Sequence, residues 1–302
     1  MAYGPSETDL GDWQMSDVSM IGLGAMGAAL AQTLLKTGYT VTVWNRTRAR
    51  TAPLIAAGAV GAESARVAFE ASDLVLVCIM THGDTRALLA DSGADMAGRT
   101  LVELSTGSPD QAEGLVIDAN AMGARCLIGM IATFPGDIGK AESAIVTVGD
   151  ETAWEASRDV LMALGGKSSY IGPNVRALPA LFAGLFLPRQ AFMFGMIYGA
   201  LVCKKAGISM DDYVAQLPLT LKVVHDYYDV FAQTVPTGRF EDPPASVAAY
   251  KAAFQDVVDT FEANGVRRDL PMMLDGLMQE AVDAGLSDKH VTALTQLFAT
   301  DD

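Results

Sequence analysis

The chain has 302 residues, 50% of them apolar and 7% aromatic, enough for two domains with separate hydrophobic cores. Its net charge of −15 and pI of about 4.5 set a bulk field that repels nucleic acid and anionic membrane, so any bound phosphate needs a local cation cluster or backbone amides. Three scattered cysteines (Cys78, Cys126, Cys203) and three unclustered histidines match no metal-ligand spacing, which argues against a metal and for a reducing compartment, read as cytoplasmic.

Residues 1–15 contain Glu7, Asp9 and Asp12 but no basic start and no apolar stretch, and read as a flexible leader rather than a signal peptide. Strand and helix patterns then alternate. Residues 18–21 form a short apolar strand running into a glycine loop. Residues 28–37 have helical spacing and stop at Gly38. Residues 39–44 are rich in strand formers, and 48–57 read as a helix ended by Gly58. Residues 74–80 are continuously apolar, the mark of a parallel strand buried on both faces, and 100–104, 124–128 and 144–148 are further runs of that type. Cys78 and Cys126 fall in such runs, where cysteine packs as a small hydrophobe. The alternation predicts a doubly wound α/β domain over residues 16–172.

Residues 173–205 then form a long apolar segment. Its stretch 177–203 is apolar enough to suggest a membrane span, but Pro188-Arg189-Gln190 interrupts it. An arginine there is costly in lipid, and a helix that is apolar all round fits burial inside protein. Pro188 is expected to bend it. Helical patterns follow at 211–216, 219–232, 246–264, 271–284 and 289–298, with no strand signal, so residues 206–302 are expected to be all-α.

Gly22-Leu23-Gly24-Ala25-Met26-Gly27 is a GxGxxG directly after a strand and opening a helix, the context that makes this motif a dinucleotide signature. Gly22 permits the tight turn, Gly24 lets the backbone approach a pyrophosphate, and Gly27 lets the helix pack on the strand. The domain is therefore read as a Rossmann fold. At the end of the second strand, where NAD enzymes carry an acid for the ribose hydroxyl, stand Trp44-Asn45-Arg46-Thr47-Arg48 and Arg50. There is no carboxylate. Arg46, with Arg48 or Arg50 and Thr47, suits a 2′-phosphate, so NADPH/NADP+ is the predicted cofactor.

With these residues the chain resembles the β-hydroxyacid dehydrogenase superfamily, of 6-phosphogluconate dehydrogenase-like architecture, and within it the imine reductases and reductive aminases. The resemblance covers residues 16–300. It is carried by Ile21 to Gly27, by Trp44-Asn45-Arg46-Thr47, by Leu104-Ser105-Thr106-Gly107-Ser108-Pro109, and by Gly129-Met130-Ile131-Ala132-Thr133-Phe134-Pro135 with Ile138-Gly139. Tyr170-Ile171-Gly172, Gly265-Val266 and Leu270-Pro271 also fit.

The resemblance implies a domain-swapped homodimer: an N-terminal Rossmann domain, a long interdomain helix, and a helical dimerisation and substrate domain exchanged with a partner. It implies hydride transfer from NADPH to an imine or iminium carbon, with Cys78, Ile79, Met80, Ser105 and Thr106 at the cofactor and Thr106 also available to the substrate. The alternatives are reduction of another C=O or C=C bond, or a relative that binds NADPH without catalysis. The substrate is expected to be a small imine or carbonyl compound, of a structure and stereochemistry the residues do not specify.

One position departs from the family. Hydroxyacid dehydrogenases carry a lysine early in the long helix, and imine reductases usually an aspartate or tyrosine. Here the matching segment is Leu181-Phe182-Ala183, which offers no proton. Phe182 and Ala183 are therefore read as substrate contacts. Arg189 and Gln190, about two turns on, are candidates to bind a substrate carboxylate, with an internal ion pair as the alternative. Tyr198, His225 and Tyr228 are further candidates. His225 is chosen among them because only histidine titrates near neutrality. A preformed iminium ion needs no enzymic acid at all.

Overall fold

The structure is a computed structural model and describes residues 15–299, so the leader expected at residues 1–15 lies outside the described residues apart from Met15. β1 (Val18–Ile21) is buried at every position. The chain turns at Gly22 into α1 (Ala25–Lys36), which starts before its apolar spacing suggests because Gly24 is its N-cap. β2 (Val41–Trp44) follows. The helix expected over residues 48–57 is instead a 3-10 turn (Arg48–Arg50) and then α2 (Ala52–Ala56). Pro53 has no N–H and fits a helix only in its first turn, which fixes where α2 begins.

The remaining α/β elements are β3 (Val60–Gly61), α3 (Ala65–Glu70), β4 (Leu74–Val77), α4 (His82–Ser92), β5 (Thr100–Glu103), α5 (Pro109–Ala121), β6 (Arg125–Ile131), β7 (Ile145–Gly149), α6 (Glu151–Leu164) and β8 (Ser169–Tyr170). They build one eight-stranded sheet of order β3-β2-β1-β4-β5-β6-β7-β8. All its pairs are parallel except β6 with β7. β7 thus corrects the reading of residues 144–148 as a further parallel strand. No crossover helix separates it from β6, only a segment with a 3-10 turn (Pro135–Asp137), and such a short link joins antiparallel neighbours. The run 74–80 is likewise shorter as a strand: β4 ends at Val77, and Cys78, Ile79 and Met80 leave the sheet at its carboxyl edge.

Strand residues alternate between two cores. Met20, Leu76, Val102 and Leu127 pack with Leu30 and Leu34 of α1 and Leu161 and Leu164 of α6. Ile21, Val75, Val77 and Leu101 pack on the other face with Phe69 of α3, Leu89 of α4 and Leu115 of α5. Each fully buried side chain of this kind stabilises the fold by about 1.5–3 kcal/mol. The strands are apolar on both faces because both faces are covered.

The chain divides into two compact units between Phe186 and Leu187. That point lies inside α7 (Ala177–Lys205), 29 residues that run unbroken through Pro188. The second unit continues with α8 (Met210–Thr234), α9 (Val247–Ala263), α10 (Asp269–Asp283) and the short α11 (Leu294–Leu297). α8 is a single helix where two were expected, because Pro218 removes one ladder bond without ending it. The helix expected over 289–298 reduces to a 3-10 turn (Val291–Ala293) and α11, with His290 capping the turn. α9 and α10 pack around Val247, Ala281 and Leu294, and Lys251 Nζ donates to Asp275 Oδ1 at 2.8 Å.

The expectation that the long apolar helix is buried needs correction for the single chain. Only Leu178 of α7 is buried, and Leu187 is 70% exposed. A helix apolar on every side needs cover on every side, and one chain does not supply it. By length and composition alone α7 would cross a bilayer.

Candidate active site

Four helices of the α/β unit are capped by side chains: α3 by Ser64, α4 by Thr81, α5 by Ser108 and α6 by Asp150. α1 is not. Its N-cap is Gly24, with no side-chain cap and no acid in the first turn, so the first amides of α1 keep their donors for an anion. The glycines around it have separate roles. Gly22 sits at φ +92°, and a Cβ there would lie 2.3 Å from the Cys78 carbonyl oxygen. A Cβ on Gly27 would lie 2.0 Å from the Gly22 oxygen, while one on Gly24 would meet nothing within 4 Å. The first and third glycines are packing necessities. The second opens onto free space in front of the helix terminus, where a pyrophosphate fits.

The turn is tied to the end of β2. Leu23 N donates to Asn45 Oδ1 at 2.9 Å, and Asn45 Nδ2 donates to the Thr47 carbonyl at 3.0 Å. Beyond Asn45, Arg46, Thr47, Arg48 and Arg50 are exposed, and the three arginines form no ion pair with any described residue. This is an uncommitted cation cluster within reach of the turn, in a strongly acidic chain. The residues present therefore fit a phosphorylated dinucleotide.

A cavity of about 480 Å³ opens at the carboxyl ends of the parallel strands, beside the point between β1 and β4 where the strand order reverses. Met26, Cys78, Ile79, Met80, Ser105, Thr106 and Phe182 all line it. Two loops form one wall and are bonded to each other. Ile79 N donates to Ser105 Oγ (2.9 Å), His82 N donates to the Thr106 carbonyl (3.0 Å), and Thr106 Oγ1 donates to the Met80 carbonyl (3.3 Å). Thr106 does not cap α5; Ser108 does, in a capping box with Gln111. Burial, with the nearby Glu103 charge, pushes the Cys78 thiol up to about 12, so Cys78 is a neutral wall group. The first turns of α7 contribute Leu178, Pro179 and Phe182 but not Ala183.

Arg189, Gln190, Tyr198, His225 and Tyr228 belong to the second unit. Tyr198 Oη donates to Asp269 Oδ1 at 2.5 Å, and Arg267 clamps both oxygens of the same carboxylate. The bond to that carboxylate raises the Tyr198 hydroxyl above the ordinary tyrosine value. His225 is exposed, 3.6 Å from Asp229 one turn along, with the Tyr228 ring edge-on to it.

The structure adds a pair that the sequence reading missed. His82 and Glu103 are 2% and 0% exposed, and His82 lines the cavity. His82 Nδ1 is 3.1 Å from Glu103 Oε1, which also accepts from Ser105 N at 3.0 Å. Glu103 Oε2 is buried without a hydrogen-bond partner. The available signal was a glutamate ending an apolar strand run, with a histidine just past the previous one.

The sheet order, the glycine turn and the uncapped α1 define a dinucleotide-binding oxidoreductase domain, and residues 17–172 match the NAD-binding domain of 6-phosphogluconate dehydrogenase. Residues 185–300 match the NADPH-dependent reductive aminase-like C-terminal domain. The chain is 26% identical over 284 residues to an NADPH-dependent reductive aminase of Aspergillus oryzae, spanning 93% of this chain and 96% of that one. Among solved structures, an imine reductase from Myxococcus stipitatus in complex with NADP+ matches with a TM-score of 0.89 and 31% identity, over 94% of this chain and all of that one. A reductive aminase from Aspergillus terreus in complex with NADPH4, cyclohexanone and allyl amine matches with a TM-score of 0.87 and 28% identity, over 95% and 100%. The chain belongs to the imine reductase and reductive aminase family.

Proposed function

We propose that this chain is an NADPH-dependent reductase of C=N bonds, acting on imines or iminium ions and on those formed from an amine and a ketone. The observation that carries the reading is the uncapped α1 terminus and free arginine cluster, placed next to an apolar cavity at the strand ends. Gly22 to Gly27 and Asn45, Arg46, Thr47 and Arg50 hold the nucleotide. Cys78, Ile79, Met80, Ser105 and Thr106 hold its reactive end. The cofactor supplies hydride when bound. The protein's part is to place the substrate carbon, exclude water and manage one proton.

The cavity suits that task. Its wall is built from methionine, leucine, isoleucine and phenylalanine side chains, so it binds an apolar ring or chain and leaves water out. The segment Leu181-Phe182-Ala183 holds no lysine of the kind that the resemblance assigns to hydroxyacid dehydrogenases. This supports imine over hydroxyacid chemistry. The second unit is proposed as the dimerisation and substrate domain, exchanged with a partner that covers α7, and Arg189, Gln190, Tyr198, His225 and Tyr228 are its candidate contacts. The free cysteines support a reducing compartment such as the cytoplasm.

The test is NADPH oxidation against cyclic imines, amine–ketone mixtures and 3-hydroxyacids. Turnover of the first two and none of the third is the expected result. Tight NADPH binding with no oxidation across the panel would mark a binding protein instead.

A further inference from the structure

We propose that His82, oriented by the buried Glu103, is the proton donor for imine reduction. The proposal rests on the reading of this cavity as a C=N reductase site. Of the side chains lining the cavity, His82 carries the one imidazole, a group able both to donate and to accept a proton; the other ionisable group, Cys78, is held neutral.

The geometry is that of a carboxylate-held imidazole. Glu103 Oε1 accepts from His82 Nδ1 at 3.1 Å, and Ser105 N fixes the same oxygen from the other side. An Nδ1–H bonded to a carboxylate fixes the tautomer and leaves Nε2 to exchange protons, and the carboxylate stabilises the imidazolium once Nε2 is protonated. Nε2 has no hydrogen-bond partner among the described residues. Gly107 makes the room: a Cβ there would lie 2.5 Å from His82 Cδ2.

The pair is hard to explain as a stabilising device. Burying a carboxylate with one oxygen unpaired is costly, and a buried ion pair seldom stabilises more than apolar packing would. A proton-handling role gives a reason for keeping it. The charged groups on neighbouring elements are otherwise engaged. Asp84 accepts from Thr81, Arg86 of α4 pairs with Asp118 of α5, and Asp110 and Glu113 of α5 hold Arg176. Glu103 is left as the charge that acts on His82.

In the proposed step the Nε2–H bond breaks and the imine nitrogen takes that proton. Hydride from NADPH adds to the carbon, and the C=N π pair becomes the nitrogen lone pair. Neutral His82 regains its proton from solvent. The balance is imine, NADPH and one proton giving amine and NADP+.

The test uses two substrates: a neutral cyclic imine, and its N-methyl iminium salt, which needs no proton. In His82→Gln, turnover of the imine should fall about 10²–10⁴-fold, the usual worth of a general acid, while the iminium salt is reduced within a few-fold of wild type. NADPH affinity, read by fluorescence titration, should hold within about threefold on the same principle that only the proton step is lost. Glu103→Gln should move the alkaline limb of the imine pH profile to lower pH, because the imidazolium loses its partner. The NMR titration of the His82 ring in the NADP+ complex should move the same way. Equal loss on both substrates with NADPH still bound would make His82 structural and overturn the proposal; so would retention of both, or an unmoved limb in Glu103→Gln if His82→Gln does not fold. If wild type reduces neither substrate, the C=N reading itself has failed.

Discussion

At residue scale, cofactor choice rests on a few side chains. Arg46 and Arg50 have no ion pair among the described residues to give up on binding a 2′-phosphate, so no such contact offsets their attraction. Changing both to Ala should raise the NADPH KM far more than it lowers kcat, because they bind ground state and transition state alike. Each charge-assisted contact is worth about 1.5–3 kcal/mol, so at least a tenfold rise is expected. Equal use of NADH and NADPH by the unmodified protein would contradict the assignment. Position 182 allows a second experiment. Phe182 lines the cavity and Ala183 does not, so Phe182→Asp is the better placement of a new acid. Phe182 is 37% exposed on the single chain, so the apolar cavity wall would desolvate such a carboxyl on one side and raise its pKa in the direction of a protonated donor. Combined with His82→Gln, it should restore part of the imine rate. Cys78 gives a third. Burial holds its thiol well above the ordinary cysteine range and keeps it protonated at pH 8, so iodoacetamide should leave Cys78 unmodified in the native protein and label it in urea.

At element scale, what was legible in the sequence was whatever one segment determines by itself. The strand runs at 18–21 and 100–104, the glycine turn and the arginines after β2 appear where local pattern placed them. What was not legible depends on partners in space. β3 and β8 are two-residue edges, too short to carry a period. The direction of β7 depends on the missing crossover helix. The His82–Glu103 pair joins the first residue of α4 to the last of β5, 21 residues apart, and no spacing rule links them. Its glutamate looked like part of a strand, its histidine like an isolated residue. The glycine turn carries an element-scale prediction. Gly22→Ala puts a Cβ 2.3 Å from the Cys78 carbonyl and forces a side chain into a left-handed φ, so it should lower Tm and abolish NADPH binding together. Gly24→Ala meets nothing in the protein, so it should fold normally and lose NADPH affinity only. Calorimetry with a binding titration on both variants separates the two roles. Equal loss of stability in both would sink the division.

For the whole molecule, the single chain leaves much apolar surface exposed on its long helices. Along α7, Leu187, Met193, Phe194 and Leu201 are all exposed, and along α8 so are Leu219, Leu221, Tyr228 and Phe231. A soluble monomer rarely exposes contiguous apolar patches beyond a few hundred Å². Arg189 in the middle of α7 opposes a bilayer as the cover, and the acidic net charge opposes an anionic one. A second copy of the chain supplies apolar surface of the same kind, and obligate interfaces of this sort run to about 2,000 Å² or more. The chain should therefore be a dimer at micromolar concentration by light scattering, with unfolding that depends on protein concentration because folding and association are one equilibrium. Replacing Leu187 and Phe194 by Asp should weaken the dimer and lower Tm without touching a residue of the nucleotide turn. If instead a folded 31.8 kDa monomer is monodisperse and fully active, the apolar helices have another cover and the exchanged-domain reading is wrong.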